Sequence, residues 1–144
     1  MQPDAGAMAS IFQQLGSIAA VLGGFAFASA GALLAATEQR GGRAASLAVW
    51  AAVLAAVCFI LSSLAWTLSS VRATGIASLA QTLPASTFTM HGAMSLVFEL
   101  GALALLASLG LSGWVRSRRL GWFTTVVAGL AMIGGFMVVV RFIA

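Results

Sequence analysis

The sequence predicts an all-α integral membrane protein, a four-helix bundle built from two antiparallel hairpins and assembled as a homo-oligomer. Three observations carry this expectation. Of 144 residues, 61% are hydrophobic and only 7% are charged, whereas a soluble domain has roughly a quarter charged. Four apolar runs, 15–36, 47–68, 88–115 and 122–143, each reach the roughly 20 residues a helix needs to cross a bilayer. The gaps after the first and third runs are short and carry arginines, so each pair of spans turns back on itself. Residues 1–144 therefore read as a single four-span domain.

The first span is the least leucine-rich. One line along it holds Ser17, Gly24, Ala28, Gly31 and Ala35, and an adjacent line holds Gly16, Ala20, Gly23 and Ala30. Small residues let helix backbones approach closely, a main source of packing energy in lipid. Because they occupy more than one face, this helix is expected near the axis of the oligomer, with Gly24, Ala28 and Gly31 packing or lining a pore. Gln13 and Gln14 mark its entrance, as a cap or as the lining of a vestibule.

The second span repeats the theme with Ala48, Ala52, Ala55 and Ser62, and places Trp50 and Trp66 near its ends, as an aromatic belt would. Within the connection 69–87, the segment 75–83 has apolar residues at helical spacing before Pro84. It reads either as a short helix in the interface plane or as an ordered loop. The third span is long enough to tilt or to extend beyond the hydrocarbon. Trp114 and Trp122 flank the third loop, and the fourth span carries Gly129, Gly134 and Gly135. Met90, Met94, Met132 and Met137 are expected to fill gaps between helices.

The formal charge of +4 comes from seven arginines and no lysine. These arginines sit between apolar runs and not on a basic face, which argues against nucleic acid as a partner. Arg40, Arg43, Arg116, Arg118 and Arg119 lie in the two short loops, against Arg72 and Arg141 on the other side. Five against two predicts cytoplasmic loops and both termini outside, as in a bacterial inner membrane. No basic segment precedes the first apolar run, so a cleaved signal peptide is not expected. One cysteine, Cys58, permits no intrachain disulfide, and one histidine, His91, excludes a bis-histidine haem within a chain. No carboxylate pair, catalytic triad, phosphate loop or Cys/His cluster occurs, so neither an enzyme nor a cofactor or metal is expected.

Glu99 stands inside the apolar run 94–111 of a chain with three acidic residues. An ionisable group in hydrocarbon costs at least about 2.5–3.5 kcal/mol on insertion scales, so it seeks protein or water. His91, Ser95 and Glu99 fall at i, i+4 and i+8, one stripe on the third helix. On an antiparallel fourth helix, Arg141 falls roughly 9 Å further outward than Glu99. Its long side chain can reach toward Glu99 or to the headgroups. The structural reading is a Glu–Arg or Glu–Ser contact that locks helices or subunits together. The functional reading is a protonatable or cation-binding carboxylate on a conduction path, with His91 near its outer mouth.

Gly24-Phe25-Ala26, four spans without a soluble domain, and the stretch from Met90-His91 to Trp114-Val115 resemble the Orai family of calcium channels. The resemblance covers the four-helix core and implies a homo-oligomer, hexameric in that family, with the first helix lining the pore. That family's acidic ring near the outer end of the first helix has no counterpart here, nor has the basic stretch before it. The arginine count also gives the opposite orientation, so no calcium-site residue carries over.

The reading that follows is a small homo-oligomeric channel or pore in which Glu99 tunes packing or permeation. One alternative is a non-catalytic scaffold or accessory subunit bound to another membrane protein through small-residue faces. Another is a proton-coupled transporter using Glu99. Expected partners are the lipid bilayer, copies of the chain and, in the second reading, a larger membrane complex.

Overall fold

A computed structural model of the chain describes residues 5–40, 42–78 and 85–143. It is all-helical, with α1 Ala5–Arg40, α2 Arg43–Ser78, α3 Ala85–Arg116 and α4 Arg118–Ile143. Each predicted span lies inside one helix, and the helices overrun the spans. α1 and α2 have 36 residues each, about 54 Å at ~1.5 Å per residue, against a hydrocarbon core of about 30 Å. By length and composition, Gly6–Ala36, Arg43–Ile76 and Met90–Trp114 can each cross a membrane. In the fourth predicted span the side chains of residues 135, 136 and 138–143 lie outside the described residues.

Packing explains the overrun. The first turns of α1 and the last turns of α2 bury Ala9, Phe12, Trp66 and Ala73 in one cluster, so both helices continue past their apolar runs. Residues 75–78 are the end of α2, which overturns the expectation of a separate element over 75–83; residues 79–83 lie outside the described residues. Trp66 is a second correction. It is only 2% exposed, because its ring turns inward to α1 and α3 and not to an interfacial belt. Trp50, Trp114 and Trp122 do lie at the surface, with Trp114 against Trp122 at 6.2 Å between ring centroids.

The helices pack in chain order. α2 lies along both α1 and α3, and α4 packs on α3. α1 reaches α3 through a few side chains, Phe12 against His91 among them, and no described part of α4 meets α1 or α2. The inner positions of this row therefore belong to α2 and α3. Ala48, Ala55 and Phe59 of α2 are buried between neighbours, whereas α1 packs as an edge helix. The buried line of α1 is Phe12, Gly16, Ala19, Gly23, Ala26 and Ala30. Ser17, Gly24, Ala28 and Gly31 remain exposed on the other side.

Both turns come together at one end, which carries the exposed Arg43, Arg118 and Arg119. Ser117 alone separates α3 from α4. Its Oγ accepts from the Leu120 backbone N–H at 3.2 Å, capping α4 as serine does at a helix start. So tight a hairpin demands the absence of side chains on its inner face: a Cβ on Gly113 would overlap Thr124 Oγ1. The α2–α3 crossing makes the same demand, since a Cβ on Gly101 would lie 2.9 Å from Cys58 Cβ. Outward, Val21, Phe27, Trp50 and Phe123 are about seven-tenths exposed, a surface compatible with lipid and foreign to a soluble monomer.

Gly101→Val is expected to push α2 and α3 apart and lower protomer stability by about 1–3 kcal/mol. Gly24→Ala, with open space around its Cβ, should leave stability unchanged or raised. Thermal unfolding in detergent distinguishes them, and equal effects would contradict this packing.

Candidate functional site

The end of the protomer opposite the arginine turns gathers its polar chemistry. There α1, α2 and α3 meet around Phe12, Trp66, His91, Met94 and Phe98. The Trp66 Nε1–H donates to His91 Nδ1 at 3.2 Å, a hydrogen bond from α2 to α3. Phe12 of α1 approaches the imidazole at 5.4 Å between centroids. Phe98 packs on Trp66 at 5.4 Å and on Phe59 edge-on at 5.2 Å. A buried indole needs a partner for its N–H, and His91 supplies it. His91 is half-buried and lies in the second turn of α3, held between helices and not lying free at an interface. Met94 fills a gap beside the same cluster, while Met137 is exposed and fills none.

An open groove with polar side chains set in a mainly apolar lining lies on another side of the α1–α2 pair. It encloses about 600 Å³ between Gln13, Ser17, Thr67, Ser70, Val71, Thr74 and Gly75. Thr67 and Thr74 return their hydroxyls to the carbonyls of Ser63 and Ser70, at 2.8 and 2.9 Å, so their methyl groups and oxygens share the groove wall. Ser17 bonds back to the Gln13 carbonyl at 3.0 Å. Gln13 and Gln14 are both exposed, and Gln13 alone lines the groove. Following the α1 helical repeat from Ser17 leads to Gly24 and Gly31, both exposed with open space at the Cβ.

Glu99 stands near mid-height. Its neighbour Gly101 meets Cys58 and Phe59, and Phe59 in turn meets Gly23 near the middle of α1. The carboxylate is exposed, and no hydrogen bond or ion pair joins it to another described residue. By helical repeat it shares the side of α3 that carries Leu106 and Gly113, the side turned to α4. The side chain of Arg141 lies outside the described residues. Ser95 is half-buried and donates to the His91 carbonyl at 3.0 Å. The predicted stripe therefore fans out, from His91 packed against α1 and α2 to Glu99 on the open surface.

Sequence reasoning passed over Thr67, Ser70 and Thr74 as a group. Their spacing along α2 was a signal that only the partner line Gln13–Ser17 makes legible. It also set Trp66 in a belt, although a tryptophan level with the only histidine of the chain was available to pair with it. Among the described residues, no cluster of three or more His, Cys, Asp or Glu could hold a metal. Comparison with family models, curated proteins and solved structures finds no match to this chain.

Because Glu99 is exposed and makes no hydrogen bond or ion pair to a described residue, Glu99→Gln is expected to change monomer stability by less than about 0.5 kcal/mol. His91→Leu strands the Trp66 N–H and should cost about 1–3 kcal/mol. Denaturant titration of the detergent-solubilised monomer measures both; a large cost at Glu99 would reveal a locking contact.

Proposed function

We propose that copies of this chain assemble around an axis normal to the membrane as a small channel or pore, with α1 nearest the axis. The observation that supports this is the uncovered groove on the α1–α2 pair, which carries polar side chains among apolar surface. Gln13, Ser17, Thr67, Ser70 and Thr74 form a groove that opens away from the protomer. Ser17, Thr67 and Thr74 bond to carbonyls of their own helices, and the exposed Gln13 amide is the group there that calls for protein or water in lipid. As an edge helix, α1 is free to meet other copies through Ser17, Gly24, Ala28 and Gly31 without displacing an internal contact. Small residues there permit close approach, and the polar end supplies a hydrated entrance. In this reading Glu99, exposed on α3, tunes packing between subunits or the passage of ions.

The arginine-bearing turns face the cytoplasm in this reading and the groove faces outward, with both termini outside, in a bacterial inner membrane. The same uncovered faces suit a non-conducting scaffold for a larger membrane protein, and flux separates the two readings. Proton-coupled transport through Glu99 would instead show flux driven by a pH gradient.

In a Cys58→Ala background, Gly24→Cys is the decisive position. It sits deep in α1, and a membrane-impermeant thiol reagent should label it if water reaches the axis. Leu96→Cys, on an apolar exposed face of α3, should stay unlabelled. Liposomes carrying the protein should pass ions, at a rate altered by Glu99→Gln. Zero flux with an unlabelled Gly24→Cys would replace the pore with the scaffold.

A further inference from the structure

We propose that His91 is an acid-operated latch: as the neutral ring it ties α1, α2 and α3 together, and protonation at Nδ1 releases α1 from α3. The inference is independent of whether the assembly conducts. Trp66 can only donate through Nε1–H, so His91 Nδ1, at 3.2 Å, must accept. An accepting Nδ1 carries no proton, which places the ring hydrogen on Nε2. The latched state therefore requires the neutral imidazole.

Adding a proton to Nδ1 sets donor against donor. The indole N–H edge is the positive side of that ring, and it would face an imidazolium with no acceptor between them. Trp66 is 2% exposed and cannot turn to water without unpacking. His91 is half-buried, and its neighbours Gly92 and Ala93 are exposed, so the histidine has room to leave. The contact that fails is the weakest of the three pairings. α1 reaches α3 through few side chains, and Phe12 against His91 is one of them. Ser63 to the Gly16 carbonyl, at 2.9 Å, still holds α1 to α2. Ser62 to the Met94 carbonyl, at 3.4 Å, still joins α2 to α3.

No competing charge shares the site among the described residues. The side chains against the imidazole are Phe12 of α1 and Trp66 of α2, neither of which titrates. On α2, Cys58 and the exposed Arg72 lie about two turns from Trp66 in opposite directions. On α3, Glu99 is about two turns along and exposed. No hydrogen bond or ion pair links any of them to His91. This chain has one histidine.

Spin labels at Ile11→Cys and Ala93→Cys, in the Cys58→Ala protein in nanodiscs, report the α1–α3 distance. The sole imidazole gives a single pair of ¹⁵N resonances. At about pH 8, Nδ1 should appear unprotonated. Acidification to about pH 5 should protonate it and lengthen the label distance in step, reversibly. His91→Gln keeps an acceptor but cannot titrate, and should hold one distance throughout. Trp66→Phe should leave the imidazole titrating with no change in distance. The latch is overturned if Nδ1 is already protonated at about pH 8, if the imidazole titrates while the distance stays fixed, or if His91→Gln keeps the acid response.

Discussion

Close approach of helix backbones at small residues is the constraint on which the rest of this protein depends. Lipid tails are as apolar as leucine, so burial alone gives helices little reason to associate within a bilayer. What remains is dispersion between surfaces that fit, and hydrogen bonds that lipid cannot supply. Each neighbouring pair uses both. Ser63 donates to the Gly16 carbonyl between α1 and α2, and Ser108 to the Ala48 carbonyl between α2 and α3, both at 2.9 Å. Thr124 donates to the Gly110 carbonyl between α3 and α4, again at 2.9 Å. Each such bond contributes about 0.6 kcal/mol on average in membrane proteins. They fix register more than they supply stability, and each needs a backbone bare enough to be reached.

From that constraint the asymmetry of the protomer follows. Where α1 and α2 fit closely they stay paired beyond the thickness of the hydrocarbon, and their far end becomes a place where polar groups can collect. Trp66, His91 and the Gln13–Thr74 groove are there, while the arginines Arg43, Arg118 and Arg119 mark the opposite end. Glu99 sits between these zones on the surface of α3. An acid so placed must be met by something other than hydrocarbon.

The four helices and their antiparallel turns are legible in the sequence because composition and run length depend only on the solvent being lipid. Which face of a helix turns inward is much harder to read. In water the outer face is polar and betrays the inner one; here Ala26 is buried and Phe27, beside it, is exposed, and both are apolar. Size was the surviving signal, and α1 offers two small-residue lines. The line through Gly16 and Gly23 meets α2, whereas the line through Ser17, Gly24 and Gly31 stays open. Trp66 shows the same limit. An aromatic near the end of an apolar run suits a belt until the neighbouring helix brings an acceptor to its level. Glu99 stands out in the sequence by its cost in hydrocarbon, but cost alone does not say on which side of the helix relief will come.

The packing order follows from these contacts, and it is the claim that everything functional rests on. Were α1 to close against α4, its open line would be spent inside the protomer, and neither the groove nor α1 would face a neighbour. Spin labels at Leu34→Cys of α1 and Phe123→Cys of α4, both exposed near the arginine end, test this directly. The Cys58→Ala protein would be diluted with unlabelled copies in nanodiscs so that each distance comes from within one chain. Helices in contact lie about 8–10 Å apart, so a row in chain order predicts an α1–α4 axis separation beyond roughly 20 Å. A separation of about 10 Å would mean a closed ring of four and would contradict the account.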